Sequence, residues 1–396
     1  MQILEGIKIL DISCVVAAPM SATLLAEFGA DVIKVEIPSG GDGLRESRVR
    51  LNDVALYPKV LNRNKKCITL DFHSEEATKY FYELVKWADV IIANFRPETL
   101  KRFHIDYEDV IVYNPKIIYM DFSAYGRTGL YANKPGYARA AEAYAGLTYI
   151  TGNPNEQPIF SGSWIADGIG GIYAAYMIML ALYHRERTGE GQLLDLGLYE
   201  PTFRILDDIP IAYAATGEVR ERQGNKHQYS APNNMYQTKD KHWIALPINS
   251  QKMFERFCNA IGERKLLADS RFSDQKSRYI NREILDEIVA SWIGNHTLQN
   301  IAEIFDDFNV AYGPVNSIRD VFADRHIWER GSLIKQYDEE LKQDLTVNGI
   351  CGKFSKTPGK IKWNGRPKGH DNEEIYLGLL KMSKEEYERL KEEGTI

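Results

Sequence analysis

The stretch IKILDISCVVAAPMSATLLAEFGADVIKVEI, Ile7 to Ile37, decides the fold. It begins with an apolar run of strand length, IKILDIS. Pro19 then opens a segment with helical spacing, Gly29 stops it, and DVIKVEI supplies a second apolar run. This is a strand, helix, strand unit. The pattern continues as KCITLDF leads into SEEATKYFYELVKWA, where Ser74 can cap a helix and Glu75 and Glu76 suit its positive end, and DVIIANF follows. PETLKRF and KIIYMDFSAYG extend the alternation. Strands apolar on both faces and separated by helices predict an open parallel sheet covered on both sides. The first 200 residues are therefore expected to form an α/β domain.

The turn after the first strand reads CVVAAPM and contains neither GxGxxG nor GxxxxGK[ST], which disfavours a standard dinucleotide or P-loop phosphate site. The carboxyl ends of the strands remain the expected ligand edge, and they would bring ISCVVAAP, ANFRPE and FSAYGRTG together. Past residue 200 the texture changes at the polar stretch EVRERQGNKHQYSAPNN. Residues 201–224 are expected as a linker and 225–325 as a smaller α+β domain, with HWIALPI as a strand and a helix capped by Thr297. Residues 326–396 are expected as a linker and tail that docks elsewhere.

With 396 residues, 44% of them apolar and 26% charged, the chain can bury a large core in more than one domain. A net charge of -6 without a basic tract argues against a nucleic-acid partner. The four cysteines are scattered without CxxC spacing, and the opening MQILEGIKILDIS lacks a secretory pattern, so a reducing, cytoplasmic compartment is expected. The apolar run from Ile169 to Tyr183 is interrupted by glycines and tyrosines and stops at HRER. It is expected to be a buried helix and not a membrane span. The eight histidines form no HExxH or metal-like cluster, and no GxSxG elbow or cysteine signature announces a nucleophile, so no metal is expected and no hydrolase triad is signalled.

One carboxylate stands out. In SGSWIADGIGG, Asp167 precedes glycines at 168, 170 and 171 at the predicted start of the long apolar helix. A helix N-terminus keeps a carboxylate ionised, and an anion so placed can be a nucleophile. The glycines would let backbone N–H groups face a developing oxyanion. The alternative is that Asp167 is only the N-cap of the helix.

At that aspartate with its glycines, followed by RTGEGQLLDLGLYE, the chain resembles the class III CoA-transferase family, which includes formyl-CoA transferase and the carnitine and bile-acid CoA-transferases. The landmarks GIKILDISCVVAAP, FGADVIKVE, NRNKKCITLD, ADVIIANFRPETLKRF, NPKIIYMDFSAYGRTG and KPGYARAAEAYAGLTYITG carry the resemblance almost end to end. It implies a Rossmann-like large domain, a small domain, and an interlocked homodimer whose tail returns to the large domain. It also implies transfer of CoA from an acyl-CoA to a free carboxylic acid, with no permanently bound cofactor. The nucleophile would be Asp167. The CoA contacts would be Val16, Ala17, Leu70, Asp71, Phe72, His73, Asn94, Phe95, Arg96, Arg102 and Tyr137. The text around LYEPTFRILDD and GNKHQYSAPNNMY is closer to the carnitine and bile-acid branch. Two departures from the family pattern are Ala18 in the first loop, where a glycine is common, and Ala138, where an acidic residue is common.

Two rival readings stay open at this stage: an α-methylacyl-CoA racemase-like isomerase and a non-catalytic CoA-binding protein. Racemisation needs a base beside the α-carbon. The position where the racemases carry a histidine is Tyr137, and no histidine lies between His104 and His184.

Overall fold

The computed structural model describes residues 2–396. Its first compact unit comprises residues 1–147, 161–216 and 325–396, and its second comprises 148–160 and 217–324. In the first unit, β1 (Lys8–Asp11), α1 (Ala17–Glu27), β2 (Asp31–Glu36), β3 (Lys65–Thr69), α2 (Ala77–Trp87), β4 (Val90–Ala93), α3 (Pro97–Arg102) and β5 (Ile118–Ser123) follow the expected alternation. After these come α4 (Ala138–Tyr144), α5 (Ile165–Thr188) and β6 (Leu193–Gly197). The six strands are parallel and lie in the order β3-β2-β1-β4-β5-β6. Strand residues such as Ile9, Val32, Ile33, Ile91 and Ile92 are fully buried. One apolar core forms under α1 and α5 and another under α2.

The order reverses beside β1. The chain builds β2 and β3 on one side of it, then returns to place β4 on the other, which opens a crevice at the carboxyl ends of β1 and β4. At the outer edge of the sheet, the side chains of Asp371 and Asn372 accept the Cys67 and Thr69 amides at 2.7 and 2.9 Å, and Tyr376 donates to the Thr69 carbonyl at 2.6 Å. Residues from the C-terminal segment thus satisfy donors that a bare edge strand would leave open.

Several expectations need correction. Residues 201–224 are not a bare linker, because α6 (Tyr199–Arg204) and α7 (Ile209–Thr216) reach into them, and both helices belong to the first unit. Residues 148–160 fall in the second unit and not in the large domain. The long helix α5 is not buried all round. It packs on α1 and β5 through Ala174, Ala175, Ile178 and Ala181, while Ile172, Tyr173, Tyr176, Leu180 and Tyr183 stand exposed. Length and apolarity alone would let α5 span a membrane, but this packing is that of a core helix with one uncovered face.

In the second unit, β7 (Asn233–Gln237) and β8 (Trp243–Pro247) pair antiparallel, and a short strand, Gly313–Pro314, extends the sheet. The helices Gln251–Ala260, Arg282–Gly294 and Leu298–Asp307 close its core around Phe254, Phe257 and Phe305, and Thr297 caps the last of them as expected.

Candidate active site

The crevice at the switch point holds a cavity of about 620 Å³, lined by the loop after β1, the loop after β4, the approach to α4 and the first turn of α5. The loop after β1 is held at every residue. Asp11 accepts the Ser13 amide at 3.1 Å, and Asn94 accepts the Cys14 amide at 2.9 Å while donating to the Cys14 carbonyl at 2.7 Å. The Val15 amide donates to both oxygens of Asp42, at 3.2 and 3.1 Å. Val15 has φ of 68°, a left-handed conformation that a β-branched residue adopts only under constraint. Buried Lys34 stands 3.5 Å from Asp42 and 3.8 Å from Asp11, and it also donates to the Ser13 carbonyl, so one ammonium ties both anchoring carboxylates to the loop. Val16 and Ala17 project from this frame into the cavity wall.

Asp167 occupies the first turn of α5 but is not its cap. The N-cap position is Trp164, which makes no capping bond, and neither the Asp167 carboxylate nor its amide has a hydrogen-bond or ion-pair partner among the described residues. Burial, and then the charge of Glu142, push its carboxyl up to about 6. The expected stabilisation of the ion by the helix end is therefore outweighed. Glu142 is itself buried on α4, and its Oε1 accepts the Ala166 amide at 3.2 Å, directly beside the nucleophile candidate. Tyr57, on the short helix Tyr57–Leu61, also lines the cavity. Its phenol is raised by burial and by the Asp167 charge. The Cys14 thiol is pushed up to about 11, chiefly by burial, which keeps it protonated and unreactive.

The glycines after Asp167 do something other than expose amides. A Cβ on Gly170 would come within 2.7 Å of the Phe122 ring, and one on Gly171 within 2.8 Å of the Ala17 carbonyl. They let α5 pack closely on β5 and on the start of α1, while the Gly168 amide is taken by the Trp164 carbonyl at 3.0 Å. The open amide near the carboxylate is that of Asp167 itself, one of the orphan donors of a helix start.

Of the residues expected at the site, Val16, Ala17, Asn94, Phe95, Arg96, Tyr137 and Asp167 line the cavity. Leu70, Asp71, Phe72, His73 and Arg102 do not. Leu70 is fully buried in the core, so only its backbone could meet a ligand. The other four gather near Phe103: the Phe72 ring is 6.3 Å away, the His73 ring meets it edge-on at 4.9 Å, the Arg102 guanidinium lies 4.7 Å over it, and His73 Nδ1 is 2.7 Å from Asp71. Sequence reading missed Asp42, Tyr57, Lys134, Arg139, Glu142 and Trp164. Only Asp42 carried a local sign, an aspartate before glycine able to cap the next turn, as it does through the Leu44 amide at 3.0 Å. No group of histidine, cysteine or carboxylate side chains among the described residues could hold a metal ion.

Against known proteins, the sequence pattern of CoA-transferase family III matches residues 4–372. The chain is 37% identical over 397 residues to the succinyl-CoA–L-malate CoA-transferase beta subunit of Chloroflexus aurantiacus, covering 99% of this chain and 98% of that one. It is 34% identical to the succinyl-CoA–D-citramalate CoA-transferase of the same organism, covering 99% and 98%. Among solved structures, a CaiB/BaiF family protein from Brucella suis superposes with a TM-score of 0.85 at 29% identity, over 96% of this chain and 99% of that one. The chain belongs to CoA-transferase family III.

Proposed function

We propose that this protein moves CoA from an acyl-CoA thioester to a free carboxylic acid, with Asp167 as the covalent carrier. The observation that carries the reading is an unpaired, half-buried carboxylate in a cavity that offers no other competent nucleophile. An Asp167 oxygen attacks the thioester carbonyl, the C–S bond breaks, and CoA leaves as thiolate from a mixed anhydride. The thiolate then attacks the aspartyl carbonyl of the anhydride, which releases the donor acid as carboxylate and leaves an aspartyl-CoA thioester. The acceptor carboxylate attacks that thioester to form a second anhydride and free the thiolate again. Attack of the thiolate on the acceptor carbonyl gives the new acyl-CoA and restores Asp167. No net proton moves, so the cavity needs no histidine base. The Asp167 amide would meet the oxyanion that forms at the attacked carbonyl.

The names of the relatives, which pair succinyl-CoA with malate or citramalate, favour dicarboxylic substrates over those of the carnitine or bile-acid branch. The CoA nucleotide would be met by Arg96 at the cavity and by His73 and Arg102 at the Phe103 cluster, with charge-assisted bonds to phosphate. An isomerase reading is disfavoured because the cavity lining contains no histidine to take an α-proton. A silent CoA-binding protein would gain nothing from a carboxylate held up to about 6 without a partner. The assembly we propose is the interlocked homodimer, in which a second copy covers the exposed apolar face of α5. Four unpaired cysteines, two of them buried, fit a reducing, cytoplasmic setting. The test is transfer assayed with succinyl-CoA, acetyl-CoA and butyryl-CoA against a panel of mono- and dicarboxylic acids. The expected result is CoA exchange fastest with dicarboxylates, and absence of exchange with every pair would refute the reading.

A further inference from the structure

Arg139 stands on α4 one turn before Glu142, so both side chains leave the same face of that helix. Glu142 reaches the Ala166 amide in the first turn of α5. Arg139 reaches Trp164, which starts that turn: its guanidinium lies 5.2 Å from the centre of the indole, and both residues line the cavity. Two steps of α4 are thus laid against the start of α5, with the carboxylate at the buried step and the guanidinium at the exposed one. Trp164 and Asp167 are three residues apart, about 4.5 Å along the axis. Arg139 nevertheless forms no ion pair with Asp167, and it is not among the groups that set the Asp167 ionisation.

The other cations of the cavity are committed elsewhere. Lys134 lies 4.5 Å and 5.5 Å from the ring centres of Tyr131 and Tyr125, and Arg96 begins α3 on the loop after β4. An acyl carbon under attack by Asp167 sits about 3 Å from its oxygen. The second carboxyl carbon of an extended four-carbon diacid lies about 4 Å further on. That span ends in the region of the Trp164 indole and the guanidinium above it.

We propose that Arg139 is the residue that selects for a second carboxylate on the acyl chain and on the acceptor acid, holding that distal group with a paired contact while Asp167 takes the reacting carbonyl. The inference rests on the reading of Asp167 as the nucleophile. Trp164 fixes the plane of the guanidinium, as a bidentate contact to carboxylate requires. A monocarboxylic chain of the same length would leave the guanidinium unmatched and lose that contact.

The experiment uses succinyl-CoA and butyryl-CoA, which have acyl chains of equal length and differ in the terminal carboxylate. Equilibrium binding is measured with Asp167→Asn, which blocks the covalent step, and with Asp167→Asn carrying Arg139→Gln or Arg139→Lys. The expected result is tighter binding of succinyl-CoA by about tenfold or more. Arg139→Gln should abolish that preference without changing butyryl-CoA affinity, and Arg139→Lys should keep part of it. An intact preference in Arg139→Gln, or an equal loss for both thioesters, would overturn the assignment. A wild-type protein that binds with the expected preference yet transfers nothing would fail the CoA-transfer reading alone, so the two failures are distinguishable.

Discussion

The loop Ser13–Ala17 and the turn Trp164–Gly168 contribute to one cavity and are built in opposite ways. In the loop, each amide from Ser13 to Val15 is consumed by a side chain that is itself anchored, and a left-handed valine is held in place by a carboxylate that Lys34 backs. In the turn, the carboxylate and the amide of Asp167 meet no partner among the described residues, and the nearest influence on the carboxylate is another negative charge. A nucleophile paired to a cation would be less reactive and would have its lone pairs occupied. Rigidity belongs to the wall, and the unmet capacity for bonding belongs to the group that reacts.

Asp167→Asn should break the reactive side of this contrast with the largest effect, lowering kcat by more than about 1000-fold while CoA affinity stays within about twofold. Steady-state transfer and equilibrium CoA binding check it, and retained turnover would remove Asp167 from the chemistry. The same variant should gain stability. Asp167 is raised from 3.8 to about 6 in the fold, so its ionised form opposes folding: the stability present below 3.8 is lost as pH rises through about 6. With its partial exposure discounted, Asn should be worth on the order of 1 kcal/mol at pH 8 and nothing near pH 4, read from denaturant midpoints.

On the wall, Asp42→Ala leaves the Val15 amide without its acceptor and Lys34 without one of its anions. An unmet buried donor costs about 1–3 kcal/mol, so kcat/KM for acyl-CoA should fall by about 10- to 100-fold. Adding Val15→Gly should restore part of that loss, because glycine adopts the left-handed conformation without an anchor. A double variant no better than Asp42→Ala would mean that Asp42 acts through something other than the loop.

Glu142→Gln should sharpen the comparison with a smaller effect. Removing the neighbouring charge lowers the Asp167 ionisation without abolishing the shift, since burial is the larger cause. The acid limb of the kcat/KM profile, expected near pH 6, should therefore move to lower pH. A limb that stays in place would show that the Glu142 charge does not reach Asp167.

Much of the scaffold could be read from the sequence because parallel strands buried on both faces appear as uninterrupted apolar runs, as in IKILDIS and DVIIANF. Asp167 was legible for a related reason: a carboxylate at the head of an apolar helix is conspicuous. What surrounds it was not. Glu142 meets Ala166 across 24 residues, Asp42 meets Val15 across 27, and Asp371 caps the amide of Cys67 across 304; no local pattern encodes such pairs. The glycines were legible as residues but not as a role, because the contacts that require them lie on α1 and β5. The segment Leu70–His73 was assigned to the cavity by analogy, yet β3 lies two strands from the switch point, and the side chains that follow it turn to Phe103 or into the core.

The central claim is that Asp167 carries the transferred group. The most direct measurement is mass spectrometry of the protein after turnover with succinyl-CoA in the presence of hydroxylamine, which captures activated aspartate as its hydroxamate. The account predicts one modified residue, Asp167, formed only with thioester present and lost in Asp167→Asn. A modification on Cys14, on a serine or on Glu142, or turnover that leaves Asp167 unmodified, would contradict it.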